Sequence, residues 1–218
     1  MNSRHLVRLF FSTLLLGGLS AGIIGFIARW DSFKLLFTSV AVGEILMTFF
    51  WLAGVGLIFS VISQMGFFAY LTVHRFGLGI FRSLWSPMQV VLILFVLFDL
   101  VYLRFISFGE GQSVISYVWI AALLLAVGAV VAYLKMKATN RQAFIPALFF
   151  MTVVTTVEWM PVLLVNDEGW LYFMLIPLLI CNAYQLLILH RINQKSTEEL
   201  ARKKAHNRPK VKSALKNA

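Results

Sequence analysis

Two carboxylates interrupt long apolar runs: Asp99 in Phe95–Arg104, FVLFDLVYLR, and Glu158 in the run TTVEWMP that ends at Pro161. A charged side chain at the centre of a bilayer costs about 2.5–3.5 kcal/mol on insertion scales, so such residues mark ion, proton or ligand paths, or tightly paired structural contacts. Pro161 removes the backbone donor that would pair with the carbonyl of Val157, and Thr155 lies one turn from Glu158 on the same face. Together they suggest a kinked polar patch. In the last apolar run Asn182 and Gln185 share a face, and Pro177 disrupts the turn before them. Two chemistries fit. Asp99, Glu158 and Asn182 could line one water-accessible path for an ion or small ligand. Alternatively, they form interhelical hydrogen bonds and one ion pair between Asp99 and Arg104, with each polar contact contributing about 0.6 kcal/mol.

Other chemistry lacks its residues. There is no HExxH helix for zinc, no GxSxG nucleophile turn, no protein-kinase set and no GK[ST] phosphate loop. The four histidines, His5, His74, His190 and His206, fall at or beyond one edge of the apolar runs, whereas both carboxylates fall toward the other edge. That separation argues against a His–carboxylate catalytic pair. One cysteine, Cys181, excludes a disulfide framework or a multi-cysteine metal site. No enzyme activity, cofactor or metal ligand set is read from the chain.

The elements that hold these residues are helices in a membrane. Of 218 residues, 60% are hydrophobic and 13% charged, about half the charge of an ordinary soluble domain. Six stretches approach the roughly 20 residues that a spanning helix needs: Leu9–Ala28, Ile45–Val73, Met88–Leu103, Val114–Leu134, Phe144–Val165 and Leu171–Leu189. The expected fold is therefore all-α: a polytopic membrane protein with six transmembrane helices in residues 1–190 and a basic cytoplasmic tail in 191–218. The first span reads as a retained signal anchor. With both termini in the cytoplasm, sixteen basic residues lie inside and only Arg29, Lys34 and Arg104 outside, as the positive-inside tendency requires. This places the protein in the cell membrane as a multi-pass chain.

The connections carry their own signals. Phe33, Leu36, Phe37 and Val40 have helical spacing and predict a short helix at the outer interface, or a loop packed on the bundle. Gly77 and Gly79 predict a sharp inner loop over His74–Ser86, after which Ser86-Pro87-Met88-Gln89 reads as a capping box. Ser196-Thr197-Glu198-Glu199 reads as a second capping box, starting a short helix that ends before Pro209. Gly18 and Gly22, and the stripe Gly56, Ser60, Ser63 and Gln64, allow close helix approach, within the chain more readily than between copies. The basic tail, including Arg202, Lys203 and Lys204, is either a solvated topology signal or a docking surface for anionic membrane lipid or an acidic partner. No nucleic-acid-binding module accompanies the charge.

The runs Gly56–Trp85, GLIFSVISQMGFFAYLTVHRFGLGIFRSLW, and Phe95–Arg104, together with Ser3–Leu19, SRHLVRLFFSTLLLGGL, resemble the KbaA family of spore-forming bacilli, the KinB-signalling-pathway activation proteins. The resemblance covers most of the chain from Ser3 to about Arg191. It implies a membrane-embedded, non-enzymatic regulator that promotes signalling by the sensor histidine kinase KinB into the phosphorelay that starts sporulation. It implies no catalytic residue. A cytoplasmic contact surface is expected from His74, Arg75, Arg82 and Trp85 together with Arg202, Lys203 and Lys204. The competing reading is a small transporter or ion pathway using Asp99 and Glu158.

Overall fold

A computed structural model describes residues 3–109, 114–165 and 167–216, with side chains described as far as Glu199. Every regular element among these residues is helical. The order is α1 (Ser3–Ala28), α2 (Trp30–Thr38), α3 (Val42–Phe81), α4 (Trp85–Phe108), α5 (Ile115–Ala138), α6 (Phe144–Phe149), α7 (Thr155–Leu163) and α8 (Glu168–Lys216). Short 3₁₀ turns occupy Arg82–Leu84 and Arg141–Ala143, and a π-helical segment, Phe150–Val154, joins α6 to α7.

Among the described residues, five helical runs are long and apolar enough to cross a membrane: Arg4–Ala28, Val42–Phe108, Tyr117–Ala138, Arg141–Leu163 and Gly169–Glu199. The second contains both α3 and α4. It is not straight, because Trp85 Nε1 donates to His74 Nδ1 at 3.0 Å, whereas eleven residues of straight helix would separate the two by about 16 Å. The chain changes direction at Arg82, whose φ of 48° is a left-handed value rare for a bulky residue.

That turn corrects the expected inner loop. Residues 74–81 continue α3, which reaches 40 residues. Gly77 serves packing here, since a Cβ on it would strike the Trp85 ring. The capping box at Ser86 does not form either. Helix α4 starts at Trp85, directly from the 3₁₀ turn, without a side-chain cap. Ser86 is then already inside the helix, and Gln89 is left without a hydrogen-bond partner.

At the outer end, α2 forms as its spacing predicts and sets Phe33 and Phe37 edge-on against Phe26. It ends at Thr38, leaving Val40 in a left-handed turn at φ 51°. At the other end, α8 runs unbroken from Glu168 to Lys216, so no separate helix begins near Thr197. Ser196 lies inside that helix instead of capping a new one. His5 Nε2 and Glu199 Oε1 lie 3.1 Å apart, which brings the start of α1 beside the same stretch of α8.

The core is built by α1, α3 and α8, with α5 to α7 closing the other side. Small residues let α1 approach α3. A Cβ on Gly56 would meet Ala21, the Gly17 carbonyl and the Gly18 backbone, and one on Gly22 would meet the Phe49 ring. Many large apolar side chains, such as Phe50, Met65, Phe95 and Ile106, remain exposed on the outside of the bundle. Such a surface suits lipid and would be a liability in water.

The close approach yields a prediction. Gly56→Leu should lower the unfolding temperature in detergent by an amount matching roughly 1–3 kcal/mol of overpacking. Gly54→Leu, at a site with open space around it, should leave that temperature nearly unchanged.

Candidate functional site: a buried polar hub and a basic inner rim

Asn182 is fully buried and connects three elements. Its Nδ2 donates to Glu158 Oε2 at 2.6 Å and to Thr155 Oγ1 at 2.9 Å, both on α7. Its Oδ1 accepts from Ser63 Oγ of α3 at 2.7 Å. Ser63 in turn accepts from Gln185 Nε2 at 2.7 Å. One turn along α3, Gln64 Nε2 donates to Ser60 Oγ at 3.2 Å, and Ser60 donates to the Thr13 carbonyl of α1 at 2.8 Å. The small, polar stripe of α3 thus faces α1 and α8, and the polar face of α8 meets it.

Glu158 reaches Asn182 because two local features make room. A Cβ at Gly66 would collide with Glu158 Oε1. The π segment adds one residue to its turn, which rotates everything after it by about 100° relative to an uninterrupted α-helix. Thr152 and Thr156 hydroxyls bond the carbonyls of Leu148 and Thr152, each at 2.8 Å, within this stretch. The irregularity therefore precedes Glu158 by a turn, and the helix continues past Pro161 to Leu163.

Asp99 does not join this hub. It is half-buried and lines a separate cavity of about 240 Å³ between α4 and α7, with Arg104, Thr156 and Met160. Thr156 and Met160 lie on the side of α7 away from Glu158, so the expected shared path for Asp99, Glu158 and Asn182 is not continuous. Arg104 is buried and lies over the Tyr117 ring at 5.7 Å. Three oxygens near the hub, Glu158 Oε1, Gln64 Oε1 and Gln185 Oε1, are buried without a hydrogen-bond partner.

Where α3 ends and α4 begins, Arg75 and Arg82 are exposed and His74 is half-buried. Trp85 corrects the expected contact surface. It is 6% exposed, hydrogen-bonded to His74, stacked on Phe81 and tilted against Phe149. Its ring is a structural latch and is not available to a partner. The side chains of Arg202, Lys203 and Lys204 lie outside the described residues. Two other basic residues were read only as topology signals. Lys135 is buried and donates to the Leu186 carbonyl at 2.6 Å. Arg141 opens the 3₁₀ turn before α6. No sequence pattern links them to α3, because their meeting is set by helix packing alone.

The chain matches the family described as KinB-signalling pathway activation in sporulation, KbaA, over residues 17–192. It is 52% identical over 198 residues to the KinB-signaling pathway activation protein of Bacillus subtilis, covering 89% of this chain and all of that protein. The chain belongs to the KbaA family. No solved structure matches it. The matched region contains every hub residue except Thr13 and the whole stretch from His74 to Arg141, and it ends near the start of the basic stretch of α8.

The hub generates a stability prediction. Asn182→Ala removes the partner of Ser63, Thr155 and Glu158 at once, and orphaning buried polar groups costs about 1–3 kcal/mol each. The variant should unfold at a clearly lower temperature in detergent. Glu158→Gln keeps an acceptor oxygen for Asn182 and should unfold within about 1 kcal/mol of the parent.

Proposed function

We propose that this protein is a multi-pass protein of the cell membrane that promotes KinB signalling in sporulation without catalysing a reaction. The observation that carries the reading is 52% identity across the full length of the Bacillus subtilis protein named for KinB-pathway activation. In this reading α3 and α4 are separate crossings, so the chain crosses six times with both ends in the cytoplasm. The contact between His5 and Glu199 supports an even number of crossings, because it puts the two ends of the bundle together. The sixteen basic residues on that side support its cytoplasmic placement.

The working surface is the cytoplasmic extension of α3 with its neighbouring turn. At about 60 Å, α3 is twice as long as the apolar layer it must cross. Its inner end presents Arg75 and Arg82 beside Phe76 and Ile80, which are 65% and 70% exposed and lie four residues apart on one face. A helix of a sensor kinase, continuing from its own membrane span, fits such a mixed apolar and basic face. The basic stretch of α8, with Arg202, Lys203 and Lys204, extends the rim toward an acidic partner or anionic lipid. To activate, this surface must bind the signalling state of the kinase more tightly than the resting state.

Arg75→Glu with Arg82→Glu, at unchanged abundance in the membrane, should reduce a KinB-dependent sporulation reporter severalfold. Cross-linking from position 76 or 80 should recover the kinase with the protein. Full reporter activity in the double variant, with no kinase recovered, would remove the α3 extension from the contact. An ion-pathway role for Asp99 predicts a different result: Asp99→Asn alone would abolish signalling while the rim variants retained it.

A further inference from the structure

The inner ends of α3, α4, α5 and α6 and the middle of α8 enclose a half-open cavity of about 770 Å³. Its polar lining is one-sided in charge. His74, Arg82, Lys135 and Arg141 contribute to the wall, with Gln89 and Asn140 between them, and no carboxylate among the described residues lines it. None of the three cations forms an ion pair among the described residues. Gln89 is fully buried, and neither its Oε1 nor its Nε2 has a hydrogen-bond partner. A buried amide with both ends unpaired is costly unless something else occupies its donor and acceptor sites.

The neighbouring groups are held as donors. Trp85 Nε1 donates to His74 Nδ1, which leaves Nε2 as the nitrogen that carries the proton in the neutral ring. Lys135 uses one N–H on the Leu186 carbonyl and keeps two more. Asn140 Oδ1 accepts from the Ala143 amide, so its NH₂ group remains available. The apolar part of the wall is supplied by Leu71, Ile145 and Leu189. The volume falls within the range of small-molecule sites, about 300–1,000 Å³, and far exceeds what one inorganic anion needs.

We propose that this cavity binds a phosphate ester, with the phosphate held by Arg82, Lys135, Arg141 and Gln89 and the organic remainder against the apolar wall. Guanidinium and ammonium groups around a dianionic or monoanionic phosphate form charge-assisted hydrogen bonds, the strongest class available to side chains. The ester comes from one of two sources: the headgroup of an anionic phospholipid, or a soluble phosphorylated metabolite. Arg82 is shared with the proposed kinase contact, but the site is argued from the cavity alone and is tested through Gln89 and Arg141 without signalling.

The full-length protein is reconstituted in phosphatidylcholine nanodiscs, and its thermal unfolding is followed with added phosphatidylglycerol or with glycerol 3-phosphate. Either probe should raise the unfolding temperature in a saturable way. Saturation by phosphatidylglycerol alone identifies the lipid headgroup, and saturation by glycerol 3-phosphate identifies a soluble ester. Gln89→Leu and Arg141→Gln should each weaken the response at least about tenfold in concentration, as loss of one hydrogen bond to a charged group does. Gln89→Leu separates binding from packing, because exchanging an unpaired buried amide for an apolar group of similar size should leave the ligand-free unfolding temperature equal or higher. Wild-type protein that neither probe stabilises, or variants that respond like wild type, would overturn the site.

Discussion

Everything in the middle of this bundle depends on one amide. Asn182 commits both amide hydrogens and its carbonyl oxygen to neighbouring helices, on Thr155, Glu158 and Ser63. In an apolar surrounding, Thr155 and Glu158 would lose this partner and Ser63 would keep only Gln185, so the register of α3, α7 and α8 that makes these contacts is favoured. The close contacts follow from that register. Gly66 yields to the Glu158 carboxyl, and Gly17 and Gly56 let α1 come near enough for Ser60 to reach the Thr13 carbonyl. The π segment belongs to the same constraint, since it turns Thr155 and Glu158 toward α8.

The inner end is organised on the opposite principle. There basic side chains and a buried glutamine line a cavity of about 770 Å³. Trp85 holds this arrangement open. By bonding His74 across the Arg82 turn and lying over Gly77, it ties the end of α3 to the start of α4. The hub is a structural device that a substitution would weaken everywhere at once. The rim and its cavity are local, and they are where the protein can change what it binds while keeping its fold.

In the proposed role, the extension of α3 and the turn at Arg82 are the surfaces a partner would meet. Arg82 belongs to both regions, since it is exposed beside Arg75 and also lines the cavity.

Much of this was legible in the residues. The apolar runs, their approximate ends, the short outer helix and the glycine and serine stripe of α3 follow from spacing, because one face of a helix repeats every three to four residues. Asn182 and Glu158 were legible as polar residues in apolar runs. What the sequence determined alone was therefore the all-helical character and the apolar runs long enough to span a membrane. Tertiary structure decided the rest. The pairing of Asn182 with Ser63, the exclusion of Asp99 from the hub and the placing of Gln89, Lys135 and Arg141 around one cavity each depend on residues far apart in the chain. Local propensity carries no information about such distances. They are set by which helices can approach closely enough to satisfy each other's polar groups, and by where, at the inner end, they do not.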